Sequence, residues 1–166
     1  MKQFFYRRIV QPVINLLKQG ITPEKIALSI AFGVTLGVFP VLGSTTLLCF
    51  VAAWAFRLNL PAIQLVNYFV YPLQFALLLP FIRLGDFLFA VRKPIPFSAG
   101  QIVELIRSDM INAIVTLWSS TWHAMVGWCL VGPPVIWLIY KLLTPVLRRM
   151  AALYQAARTP SSEAAP

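Results

Sequence analysis

The stretch IALSIAFGVTLGVFPVLGSTTLLCFVAAWAF, Ile26 to Phe56, contains no charged residue yet is interrupted in its middle by Phe39-Pro40-Val41-Leu42-Gly43-Ser44-Thr45-Thr46. One continuous helix of that length would rise roughly 45 Å, beyond a hydrocarbon core of about 30 Å. Pro40 lacks the N–H that an interior helix position donates, the residue before a proline is pushed out of helical geometry, and Gly43 can adopt backbone angles that other residues avoid. Two apolar half-helices are therefore expected, Ile26 to Phe39 and Ser44 to Phe56. Each is short of the roughly 20 residues of a full span, so together they read as a re-entrant hairpin that enters and leaves on one face of a membrane. The backbone groups freed around Pro40 to Thr46 cannot face lipid. They must be covered by other protein or line a polar cavity.

The surrounding sequence fits that setting. Of 166 residues 59% are hydrophobic and only 11% charged, with a mean hydropathy of +0.77, whereas a soluble domain carries about 25% charged residues. The net charge of +9 does not argue for nucleic acid, because the basic residues sit at the ends of apolar segments rather than on one polar face. Cys49 and Cys129 lie inside apolar segments without ligand spacing, and read as small buried hydrophobes rather than as a disulfide or a metal site.

Before the hairpin, Lys2, Arg7, Arg8 and Lys18 are interleaved with apolar residues. Met1 to Ile21 is expected to be a basic amphipathic segment on the membrane surface, a topology anchor. Thr22, Pro23 and Glu24 suit the N-cap, the first helical position and the positive end of a helix dipole. Ser29, Gly33 and Gly37 then form a small-residue stripe that lets another helix approach closely.

After the polar turn Arg57-Leu58-Asn59-Leu60-Pro61, a second apolar stretch, Ala62 to Ile82, is interrupted by Pro72 and Pro80 and carries Gln64, Asn67 and Gln74. Helical spacing predicts Asn67, Tyr71 and Gln74 on one inward-looking face. Two broken apolar segments with polar groups near the breaks are a pointer to a binding site at mid-depth, and interhelical amide hydrogen bonds that hold helices together explain the same residues.

The run Thr22-Pro23-Glu24, then Ala31-Phe32-Gly33-Val34-Thr35-Leu36-Gly37-Val38-Phe39-Pro40-Val41-Leu42-Gly43, then Arg57 to Pro61, Tyr71-Pro72-Leu73-Gln74-Phe75 and Arg83-Leu84-Gly85 resembles a bacterial membrane family known as the domain of unknown function numbered two thousand and sixty-two. Gly-Val-Phe-Pro-Val-Leu-Gly is the most specific part. Where many members have Asn before the second-segment proline, this chain has Tyr71, with Asn67 one turn earlier. The resemblance implies a fold and no accepted activity; relatives joined to glycosyltransferase domains imply an association with envelope glycolipid chemistry.

From Arg83 to Asp109 the chain is more polar, and Ser98 to Gln101 forms a capping-box pattern that predicts a short amphipathic interfacial helix. A third apolar stretch, Met110 to Tyr140, carries Trp118, Trp122, Trp128 and Trp137 as expected interfacial anchors, with a crossing between about Thr121 and Leu143 and a kink at Gly132-Pro133-Pro134. His123 has no carboxylate near it in sequence, and reads as a core or interfacial residue. The remainder is basic, and from Thr159 reads as disordered.

The expected fold is thus an all-α integral membrane protein: a broken, re-entrant helical hairpin plus about two transmembrane helices, with a short amphipathic interfacial helix. Residues 1–21 form the juxtamembrane segment, 22–143 a single membrane domain, and 144–166 a basic, then disordered, cytoplasmic tail. Lys and Arg at both ends place both termini in the cytoplasm of a multi-pass inner-membrane protein. Paired-carboxylate, Ser/His/Asp, Cys/His and phosphate-loop constellations are lacking, so no enzyme, metal or cofactor is expected. Two functions follow. One is a small lipid- or solute-handling protein with a polar pocket formed by Pro40, Gly43, Ser44, Thr45, Asn67, Tyr71 and Gln74. The other is a membrane scaffold or assembly factor for an envelope-lipid or glycan enzyme. Expected partners are membrane lipids, a second copy of the chain, and a cytoplasmic protein.

Overall fold

The computed structural model describes residues 21–91, 107 and 110–156. Residues 1–20 of the expected surface segment Met1 to Ile21, most of the interfacial helix at 98–109 and the terminal stretch from Thr159 lie outside the described residues. Among the described residues every regular element is a helix: α1 Pro23–Gly37, α2 Thr45–Ala55, α3 Leu60–Phe69, α4 Tyr71–Leu88 and α5 Met110–Ala156.

Local chemistry sets the boundaries. Thr22 Oγ1 accepts the Lys25 N–H at 3.4 Å, and Pro23 opens α1 where no N–H is needed. Gly43 carries the turn between α1 and α2 with φ of +84°, a conformation only glycine adopts without steric cost. Asn59 Oδ1 caps α3 by accepting the Ala62 N–H at 2.8 Å. α2 ends in a Schellman motif, Leu58 N–H to Ala53 O and Arg57 N–H to Trp54 O, with Arg57 at φ 51° in the position glycine usually fills.

Helix directions follow from cross-chain contacts. α1 and α3 run parallel: the Asn59 N–H donates to Ser29 Oγ, Gly33 faces Ile63 and Val66, and Gly37 faces Asn67 and Val70. The partner of the Ser29–Gly33–Gly37 stripe is therefore α3 of the same chain. α2 returns between them, its Cys49, Ala52 and Ala53 packing with Leu36 and Ile63. α3 and α4 form one path bent by 66°. The bend falls at Val70, with Pro72 in the first turn of α4 and Pro80 inside that helix without ending it. A proline is free of backbone cost only in the first turn.

α5 is the common wall. Its 47 residues amount to about 70 Å of helix. Leu147 packs on Ile26 and Ala27, Trp128 and Val131 lie against Val38, and Ala124 meets Phe81, so α5 is antiparallel first to α4 and then to α1. It continues to Ala156, well past the Leu143 limit expected from hydropathy, because its last turns still pack on α1: Glu24 and Arg148 pair at 2.6 Å. Among the described residues, Trp118–Leu153 is long and apolar enough to cross a membrane, and α3 with α4 would make a second such path.

α4 and α5 are closest at Gly85, where a Cβ would lie 2.3 Å from the backbone carbonyl of His123. Across the same contact a Cβ on Gly127 would meet nothing nearer than 3.4 Å. Gly85→Ala should lower stability by about 1–3 kcal/mol because the clash is with backbone that cannot rotate away. Gly127→Ala should be neutral or stabilising, since alanine is the better helix former. Equilibrium unfolding in mixed micelles separates the two.

Candidate functional site

The candidate site is the interruption between α1 and α2 together with the amides that surround it. When α1 stops at Gly37 its last carbonyls lose their intrahelical donors. Phe39 O accepts Gln74 Nε2–H at 2.8 Å, and Thr35 O accepts the indole N–H of Trp128 at 3.0 Å. At the start of α2, Thr46 O accepts Gln64 Nε2–H at 2.9 Å; Gln64 Oε1 in turn accepts from Asn67 Nδ2 at 3.2 Å. Side chains from α4 and α5 thus close freed carbonyls of the break, and Gln64 from α3 adds a second bond to a carbonyl in the first turn of α2. Trp128 also stacks edge-on against Phe39, with ring centroids 4.9 Å apart.

The sequence-predicted residues divide into two groups. Gln74, Asn67 and Thr45 are 0, 1 and 2% exposed and converge on the interruption, and Pro40 is buried beside them. Ser44 is partly buried and donates to Val41 O at 2.9 Å, while Gly43 is exposed. Tyr71 is 42% exposed and packs edge-on against Phe75. It does not share the face of Asn67 and Gln74, because the bend at Val70 resets the helical phase that the seven-residue spacing assumed. Three buried oxygens around the last turn and exit of α1 have no donor among the described residues: Thr35 Oγ1, Asn67 Oδ1 and Gln74 Oε1. Orphaned buried acceptors are costly.

Sequence reasoning missed several of these partners. Trp128 reads as an interfacial anchor, yet it is half-buried and closes α1 from 93 residues away. His123 is not without a carboxylate: Asp86 Oδ1 lies 3.3 Å from its Nδ1, and Phe89 stacks on the imidazole at 4.3 Å. The pairing arises from the Gly85 contact, which brings α4 and α5 together one residue away. Asp86 is 6% exposed and its Oδ2 has no donor. Cys49 is buried as expected, whereas Cys129 is exposed on the outer face of α5.

The model of one family, described as "Uncharacterized protein conserved in bacteria (DUF2062)", matches residues 6–155. The chain belongs to that family. No curated protein and no solved structure matches it.

Because Gln74 is the donor for Phe39 O, Gln74→Leu should cost about 1–3 kcal/mol, the penalty of an orphaned buried carbonyl. Trp128→Phe keeps most of the ring packing and removes only the donor to Thr35 O, so about 1 kcal/mol is expected. Unfolding midpoints in mixed micelles, with helicity followed by circular dichroism, check the order of the two.

Proposed function

We propose that this chain is a non-enzymatic, multi-pass protein of the bacterial inner membrane that handles a lipid or small solute at its broken helices. The arrangement has α1 and α2 as a re-entrant hairpin, with α3–α4 and α5 as two crossings and both termini in the cytoplasm. A large apolar periphery supports the membrane setting: Leu47, Trp54, Phe87, Trp118, Trp137 and Leu142 are each more than 60% exposed. In water such a surface would drive association. The observation that carries the handling role is the pair of buried acceptors Asn67 Oδ1 and Gln74 Oε1, beside a helix end whose dipole is negative. Ammonium or hydroxyl groups of a lipid head or solute are the chemistry that would complete them.

A scaffold for an envelope-lipid or glycan enzyme, holding a second copy or a cytoplasmic protein, is the second reading. It is favoured by the amide nitrogens of Gln64 and Gln74, which are already spent on backbone carbonyls, as packing groups would be.

Two measurements test the proposal. In a background with Cys49 and Cys129 replaced by alanine, Thr22→Cys and Arg57→Cys should label with an impermeant maleimide only from the cytoplasmic side. Ala90→Cys should label only from the opposite side. Labelling of positions 22 and 57 from opposite sides would remove the re-entrant hairpin. Mass spectrometry of molecules co-purifying with the protein should then show one head-group or solute class enriched roughly tenfold over bulk membrane, a loss of about 1.4 kcal/mol of binding abolishing it in folded Asn67→Leu. Bulk lipid in every sample would favour the scaffold.

A further inference from the structure

A second polar feature lies at the opposite end of the hairpin from the break. Ile21, Thr22, Lys25, Arg57, Leu58 and Asn59 line an open cleft of about 290 Å³ where the start of α1 meets the turn between α2 and α3. That volume is just below the roughly 300–1,000 Å³ typical of ligand sites. It suits a head group rather than a whole solute.

The charge in the cleft is of one sign. Lys25 and Arg57 are both exposed, and among the described residues neither forms an ion pair. The nearest acid in sequence, Glu24, is engaged by Arg148 at 2.6 Å, so its charge is already countered. Thr22 and Asn59 are the N-caps of α1 and α3, so two positive helix ends approach the same cleft, beside the negative end of α2, whose last carbonyls accept the Arg57 and Leu58 N–H groups. The guanidinium offers a planar fork of donors suited to phosphate oxygens, and the ammonium a mobile point charge. Leu58, 9% exposed, and Ile21 supply an apolar floor on which acyl-proximal carbons can rest. The cleft rim and Arg149 share the end of the bundle that the re-entrant reading puts at the cytoplasmic surface, where anionic lipid is concentrated.

We propose that this cleft binds the phosphate ester of an anionic phospholipid head group, held between Lys25 and Arg57 where the re-entrant hairpin leaves the membrane. The proposal rests on the membrane reading above and adds a site that the helix break does not contain. A free phosphate offers the same oxygens to the same cations, but lacks the glycerol and acyl carbons that Leu58 and Ile21 would contact.

Delipidated protein in detergent is titrated with phosphatidylglycerol, phosphatidylcholine and, separately, inorganic phosphate, and bound species are counted by native mass spectrometry. Phosphatidylglycerol is expected to bind at least tenfold more tightly than phosphatidylcholine, with one tight site per chain, and inorganic phosphate to compete only weakly. The double variant Lys25→Gln, Arg57→Gln should lose that preference, whereas Arg149→Gln, at the same end but outside the cleft, should keep it. Arg57→Gly supplies a check on folding: glycine suits the left-handed angles at this position, so the variant should fold at least as well as the native chain and still lose the tight site. Equal loss in Arg149→Gln would overturn the proposal in favour of diffuse surface charge. Inorganic phosphate binding as tightly as the lipid would overturn the lipid assignment. Failure of the membrane reading would show separately, in the maleimide labelling at position 57.

Discussion

A helix that stops among apolar surroundings leaves carbonyls that water cannot reach, and the structure depends on how those carbonyls are met. Gln74 reaches from α4 to Phe39 O and Trp128 from α5 to Thr35 O, while Gln64 ties α3 to the first turn of α2 through Thr46 O. Each donor comes from a different element, so the interruption in the first hairpin fixes the positions of all the later helices. An unmet carbonyl would cost about as much as several ordinary packing contacts contribute. The break is therefore the centre of the bundle rather than a local defect.

Small residues make that arrangement geometrically available. Ser29, Gly33 and Gly37 let α3 lie close against α1, near enough that Asn67 Oδ1 would be 3.1 Å from a Cβ on Gly37. Gly85 does the same for α4 and α5. The close approach at Gly85 then juxtaposes Asp86 and His123, a polar pair at the far end of the bundle from the Glu24–Arg148 ion pair. Between these pairs α5 advances by about 25 residues, or roughly 37 Å. That separation matches a hydrocarbon core of about 30 Å plus its boundaries. The proposed membrane placement and the positions of the charged residues are therefore mutually consistent, and the cleft at Lys25 and Arg57 falls at one boundary.

Much of the local structure could be read from residue types. Pro40 and Gly43 mark the turn, Thr22 and Pro23 the start of α1, and Asn59 and Pro61 the start of α3; in each case the chemistry is local, a missing donor, a cap or a permitted backbone angle. Gln74 and Asn67 also stood out, since an amide in an apolar run must find a partner. Their partners did not. Nothing in the spacing of Asn67, Tyr71 and Gln74 reveals a 66° bend at Val70, because the groups that Gln74 and Val70 pack on, Phe39 O and Gly37, lie on a distant segment. Pro72 marks where the stretch is interrupted, but neither the angle nor the direction of the bend.

The sequence by itself determined the helical class, the interruption of the first apolar stretch, the small-residue stripe and the capping residues, all of which depend on neighbours within a few positions. Only the tertiary structure decided that Trp128 closes α1, that Asp86 meets His123, that Tyr71 faces outward, and that Lys25 and Arg57 share a cleft. These pairs are separated by 93 residues for Trp128 and Thr35 and by 37 for Asp86 and His123. Contacts at such range are chosen by helix packing, which periodicity along one segment does not encode.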